Sequence, residues 1–238
     1  AVELVVDNRG KTVPTVENGT PLIATNCVSM NHLYPIYEKV RFVDQATYET
    51  WFRGHPQAGD LLFVTKGTPG RVCMVPDPVD FCIGQDMVAL RANNKVIYPN
   101  YLFAVLRSPL IQSRIKNLDT DAVIPHFRKT DFDQLMLPYP NRRGQEYIGD
   151  LYHTVSKAIE NNYRRIKILE EMAQNIYREW FVHFRYPGHE DVPMVDSELG
   201  QIPQGWEVKP FSQSAEFING YAFKPSHWQD EGKPIIKI

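Results

Sequence analysis

The sequence predicts a mixed α/β fold: a globular domain with a mixed β-sheet and short helices, followed by a long coiled-coil α-helix. Two observations predict this. Through residues 1–140, short runs rich in β-forming residues recur with helical signals between them. From residue 150 to residue 184 there is then no glycine or proline, and the apolar residues alternate spacings of three and four. A third observation, an internal repeat, sets the organisation of the whole chain.

The strand-like runs are "PLIAT" (21–25), "EKVRFV" (38–43), "LLFVTK" (61–66), "RVCMV" (71–75), "DMVALRA" (86–92) and "LMLPY" (135–139). Ser108 before Pro109 reads as an N-cap with proline at the first helical position, opening "PLIQSRIKNL". Thr130 with Asp133 fits a capping box for a short helix.

Residues 141–187 form the predicted spacer helix. One heptad register places Ile148, Val155, Asn162, Leu169 and Ile176 at a, and Tyr152, Ile159, Ile166, Ala173 and Trp180 at d. That is a coiled-coil seam rather than one side of a globule. Asn162 interrupts it at an a position, where a buried amide selects register or partner; the competing reading is a polar residue at a frayed contact. "WFVHF" (180–184) adds a bulky apolar group at the far end, and such a patch needs a partner. "YPGHEDVP" ends the helix with Pro187 and Gly188, and a linker over 188–208 follows.

The repeat pairs "ENGTPLIAT" (17–25) with "DEGKPIIKI" (230–238), aligning Gly19 with Gly232 and Pro21 with Pro234. An offset this long means a duplicated domain rather than a solenoid. Residues 209–238 are accordingly expected to be the truncated start of a second domain of the first kind.

Composition limits the function. The formal net charge is −2, so any anion-binding face depends on local clustering. Cys27, Cys73 and Cys82 lack CxxC spacing and read as buried free thiols. No apolar run approaches the ~20 residues of a membrane span, and the expectation is a soluble, cytoplasmic protein without membrane contact. No metal-ligand spacing is visible among the histidines. Neither GxGxxG nor GxxxxGK[ST] occurs, and "YPNY" (98–101) has the wrong order for an adenine-flipping Asn-Pro-Pro-Tyr tetrapeptide. No catalytic residue, metal or cofactor is therefore expected in this chain.

DNA reading is one function these exclusions leave open, and it needs cations for phosphates and polar side chains that reach base edges, both carried on loops. Three segments qualify: Arg9 and Lys11 on a glycine-containing turn, Lys66, Thr68 and Arg71 at a hairpin tip, and Arg128 and Lys129 before a short helix. Asn26 carries an amide able to pair bidentately with adenine. Each has an alternative reading as a solvated surface group.

"MVDSELGQIPQGWEV" (194–208), leading from a long helix into a new β-rich segment, resembles the linker of the specificity subunits of type I restriction-modification enzymes. "GDLLFVTKGTPGRVCMV" (59–75) is similar to that family's hairpin region, and "AVIPHFRKTDFDQLMLPYP" (122–140) to its passage into the long helix. The family often starts that helix with Pro-x-x-x-Gln; here "PNRRGQEYI" (140–148) offers Gln145, with Gly144 weakening the first turn. The resemblance implies a non-catalytic subunit whose two target-recognition domains each read half of a bipartite double-stranded DNA site, held apart by antiparallel helices. It further implies a modification (methyltransferase) subunit carrying S-adenosylmethionine, and a restriction subunit carrying ATP. With one long helix in this sequence, an antiparallel homodimer is the expected assembly. The alternative is a coiled-coil protein-interaction scaffold that does not touch DNA.

Overall fold

The structure is a computed structural model and describes residues 2–8, 12–118, 125–128 and 130–234. These fall into two compact units, Ala1–Leu169 and Glu170–Ile238. The division lies inside the long helix, because the helix's first half packs on the globular domain.

In the first unit, strands β1 (Val2–Val6), β4 (Leu61–Val64), β5 (Val72–Met74) and β7 (Met87–Ala92) form an antiparallel sheet in the order β1-β7-β4-β5. A second sheet has the order β3-β2-β6, from β2 (Thr20–Ile23), β3 (Arg41–Val43) and β6 (Cys82–Ile83); β2 runs antiparallel to β3 and parallel to β6. Strand β4 is buried on both faces. Leu61 and Phe63 join a core beneath helices α2 (Pro99–Leu106) and α3 (Pro109–Asn117), while Leu62 and Val64 join a second core with Ile23, Ile83 and Val28. That two-sided burial explains why "LLFV" is continuously apolar rather than alternating.

Ser108 caps α3 as expected, its hydroxyl accepting from the Ile111 amide, with Pro109 at the first helical position. Two local expectations fail. "LMLPY" is not a strand: Leu135 and Leu137 pack on the core, but the segment's carbonyls are taken by side chains. Tyr101 donates to the Pro138 carbonyl at 2.7 Å and Arg114 donates to that of Met136. Pro138 and Pro140 lack the donors a ladder needs. The capping box at Thr130 is also absent, since Thr130 is itself helical and its side chain caps nothing. Asp131 instead accepts the Arg128 amide at 2.6 Å ahead of the short helix α4 (Asp131–Gln134). The sequence reading also passed over α1 (Gln45–Thr50), capped by Asp44.

The long helix α5 spans Arg142–Tyr177. Asn141 caps its start by accepting from the Gly144 amide at 2.9 Å, and Arg142 donates to the Asn94 carbonyl and side chain. These bonds offset the weak first turn that Gly144 implies. Gln145 is buried and bonded on both sides: it accepts from the Tyr98 amide and donates to the Pro140 carbonyl, each at 2.9 Å. One turn on, Gly149 lies against the backbone of α2, where a Cβ would stand 2.6 Å from the Tyr101 nitrogen.

In the second unit, α5 gives way to a π-helical stretch, Arg178–Val182, and the chain turns at Phe184 with φ +55°, before the expected Pro187–Gly188 stop. Arg185 turns back onto Glu179 through two hydrogen bonds. Strands β8 (Met194–Ser197) and β9 (Gly200–Pro203) then make an antiparallel hairpin. Trp206, just after it, meets the rings of Phe181, Phe184 and Tyr186 at centroid distances of 5.3–6.1 Å. Part of the "WFVHF" patch is thus covered by the linker itself, a partner the sequence reading did not consider. Beyond it lie a short helix α6 (Phe211–Ser214) and exposed chain. Gly232 there adopts φ +135°, close to the +156° of its repeat counterpart Gly19. Ile235 and Ile236 of the repeat lie outside the described residues.

Replacing Gly149 by alanine gains roughly 1 kcal/mol of helix propensity. The added methyl meets backbone rather than a side chain that can swing aside, and forced close contacts of this kind cost about 1–3 kcal/mol. The net expectation is destabilisation, read as a lower urea midpoint for G149A; an unchanged or higher midpoint would contradict the close seating of α5 on α2.

Candidate nucleic-acid interface

Of the candidate residues, Asn26, Lys66, Thr68, Arg71 and Arg128 lie on segments that meet where the two sheets end on a common edge. Ile23 and Ile83 are paired at the ends of β2 and β6, and Val64 is paired with Met87, the first residue of β7. The chain between Ile83 and Met87 therefore links both sheets at this edge.

Backbone hydrogen bonds join the loops in a row. Gly84 donates to the Ile23 carbonyl at 2.9 Å, next to the turn that carries Asn26. Thr65 and Lys66 both donate to the Asp86 carbonyl, at 2.9 and 3.3 Å. Phe127 donates to Thr65 at 2.7 Å and Gly67 to Pro125 at 2.9 Å, so the tip also pairs with the segment that carries Arg128. Two segments 60 residues apart in sequence, the tip and 125–128, thus form one surface. The tip is held from behind by Gln112, whose amide donates to the carbonyls of Gly70 and Leu106 at 2.7 Å.

Lys66, Thr68 and Arg128 are exposed. Arg71 is half-buried; burial pulls its guanidinium below the usual range, and its Nε is buried without a hydrogen-bond partner among the described residues. Lys66, Arg71 and Arg128 have no ion-pair partner among the described residues, unlike Arg91 on Asp60 or Arg142 on Glu146. Their charge is available to an incoming anion. Asn26 is exposed, but its amide nitrogen donates to the Glu38 carbonyl at 2.7 Å, a structural tie that competes with base reading. Arg9, Lys11 and Lys129 lie outside the described residues. The sequence reading missed Gln85, an exposed amide whose two chain neighbours are pinned by the bonds above. No local signal marks it, because the bonds that bring it to the tip come from Thr65 and Ile23.

Along α5, one stripe of Gln145, Gly149, Tyr152, Ser156, Glu160 and Tyr163 has period 3.6 and is the more buried face through the first half of the helix. Tyr152 belongs to it: its ring packs at 5.6 Å from that of Phe103, so it is taken by the chain's own domain rather than left for a helical partner. Ile148, Val155, Ile159, Ile166, Leu169 and Ile176 remain 44–60% exposed. Asn162 and Ala173 are exposed between them. Trp180, 39% exposed, sits in the π-helical stretch, where the wider turn breaks the heptad phase.

With this geometry in view, the family model for the type I restriction modification DNA specificity domain matches residues 13–171. The chain belongs to that family. The specificity domain is 23% identical over 166 residues to the type I restriction enzyme MjaIX specificity subunit of Methanocaldococcus jannaschii, covering 70% of this chain and 38% of that protein. To the MjaVIII specificity subunit of the same organism it is 26% identical over 156 residues, covering 66% of this chain and 36% of the relative. The chain thus spans little more than a third of the length of these relatives. The crystal structure of the type I restriction-modification S subunit from M. genitalium matches with a TM-score of 0.50 at 15% identity, over 75% of this chain and 48% of that one, a likeness of fold. Among the described residues of the specificity domain, no three His, Cys, Asp or Glu side chains are grouped to hold a metal, and no helix is long and apolar enough to cross a membrane.

Gln112→Ala strips two buried carbonyls of their donor, at a cost of about 1–3 kcal/mol. Amide hydrogen exchange across 66–72 is expected to speed up well beyond the global change. Exchange confined to its wild-type rates there would show that Gln112 does not hold the tip.

Proposed function

We propose that this chain recognises double-stranded DNA for a type I restriction-modification enzyme, reading one half of a bipartite site and contributing no catalytic group. The observation that carries the proposal is the row of bonded loops ending in Lys66, Arg71 and Arg128, three cations without an ion-pair partner among the described residues of an otherwise acidic chain. Lys66 and Arg128 contact phosphates, Arg71 and Thr68 lie at the groove, and Gln85 reads an adenine edge with an amide that is not tied to the chain's own backbone as that of Asn26 is. Family membership supports a division of labour in which a methyltransferase subunit binds S-adenosylmethionine, a restriction subunit binds ATP, and the assembly works in the cytoplasm. Residues 209–238 belong to a second recognition domain, a reading supported by the matched glycines Gly19 and Gly232.

Lys66→Ala and Arg128→Ala should weaken binding of the assembled enzyme to all duplexes alike and lower the salt slope by about 1 each. Gln85→Ala should instead relax discrimination at one adenine position, by about 1–3 kcal/mol. Salt titrations on cognate and scrambled duplexes measure both. Binding without salt dependence would favour the scaffold reading, to which the exposed helix seam is equally suited.

The seam also supports an antiparallel homodimer of this chain, with Asn162 near the two-fold axis. Half-exposed aliphatic side chains gain about 1 kcal/mol each on full burial. Summed over two helices, that is of the order of the association cost, about 4–15 kcal/mol. Dimerisation should therefore depend on concentration, with sedimentation velocity showing dimer in the micromolar range and monomer for the double variant Val155→Glu, Ile166→Glu. A wild-type chain that stays monomeric refutes the pairing.

A further inference from the structure

The recognition hairpin is tied to α5 through the backbone of a single residue, Leu33. Its carbonyl accepts from the Met74 amide of β5 at 2.7 Å, and its own amide donates to Glu160 Oε2 at 3.1 Å. Residue 160 thus bonds, through one intervening residue, to the strand that ends the hairpin.

Neighbouring contacts guard that bond. The His32 ring stacks on Tyr163 with centroids 4.4 Å apart, and its Nδ1 lies 3.5 Å from Glu160. Arg107 donates to the His32 carbonyl at 3.0 Å and spreads over the rings of Phe103 and Tyr152. Arg164 stands 3.8 Å from the same carboxylate, whose side chain is only 14% exposed. A carboxylate this sheltered, 127 residues from its backbone partner, is not a solvated surface charge.

We propose that Glu160 is a positioning residue for DNA reading: it locks the recognition hairpin to the spacer helix and thereby sets the half-site spacing that the assembled enzyme accepts. This rests on the bipartite-recognition reading above. Without the latch, the domain is held over the first turns of α5, where the Tyr152 ring, Asp150 and Gly149 pack on it or bond to it and buried Gln145 bonds to it on both sides. Glu160 lies 15 residues further on, about 23 Å along the helix. A pivot of about 9° around Gln145 moves a point at that distance by about 3.4 Å, one base-pair step. Glu160 stiffens this seat at its far end; without it only the first turns oppose the pivot.

The test uses the complete specificity subunit assembled with its methyltransferase subunit, on duplexes whose two half-sites are separated by spacers varied one base pair at a time. Wild type should methylate one spacing far faster than its neighbours. In Glu160→Ala that preference should drop about tenfold or more, while discrimination within each half-site is unchanged. Glu160→Gln keeps an oxygen for the Leu33 amide and should retain the wild-type preference. Tyr163→Ala, which removes only the stacking partner of His32, should fall between the two and serves if Glu160→Ala does not fold. An unaltered preference in both Glu160→Ala and Tyr163→Ala overturns the proposal, as does an equal loss of rate at every spacing. A wild-type enzyme indifferent to spacing would instead overturn the bipartite reading, and this inference with it.

Discussion

A helix has one circumference, and α5 divides its own between the domain it packs on and an exposed apolar stripe. One stripe, beginning at Gln145 and Gly149, is pressed against the domain so closely that no side chain fits at residue 149. The other, through Ile148, Val155, Ile159 and Ile166, faces away and stays apolar. The docked stripe follows the 3.6-residue turn of a straight helix, whereas the free one is written in sevens, and the two drift by about 20° per heptad. Glycine at 149 and the paired bonds of Gln145 set the zero of both patterns. Everything that orients the domain, including the latch at Glu160, is measured from that seat.

The loop edge works on a similar separation of duties. Main-chain groups of residues 23, 65–67, 84, 86, 125 and 127 bond to one another, which consumes the backbone and leaves the side chains of Lys66, Thr68, Gln85 and Arg128 outside the network. Their identities can be changed without breaking a structural bond. Asn26 is the exception, since its side chain helps to hold the 38–40 region. Such an arrangement supports a surface whose chemistry varies on a constant frame.

Much of this was legible from the residues. Strands β2, β3, β4, β5 and β7, helix α3 with its Ser108 cap, and the long helix all carry local signals, and those signals agree with the elements that form. What failed was local logic overridden by distant partners. "LMLPY" has strand composition, but Tyr101 and Arg114 reach its carbonyls first. Thr130 fits a capping box, but Asp131 takes the nearest free amide. Tyr152 fits a heptad, but Phe103 and Arg107 lie beside it. Of the candidate site, the charged loops could be listed from sequence, whereas their adjacency could not, because it depends on hydrogen bonds between segments 20–62 residues apart. Gln85 and Glu160 are ordinary surface letters until their neighbours are seen.

The three cysteines have a practical side. Cys27, Cys73 and Cys82 are all buried, at 1% exposure or less; burial pushes the Cys82 thiol up to about 12 and that of Cys73 up as well. A thiol needs both access and thiolate character to react. The native fold should therefore stay silent towards maleimides at neutral pH. A cysteine introduced at Thr68, or on the open face of α5, would become the single reactive point of an otherwise unmodified chain. Fluorophores or spin labels could then be attached there without first removing any native sulfur.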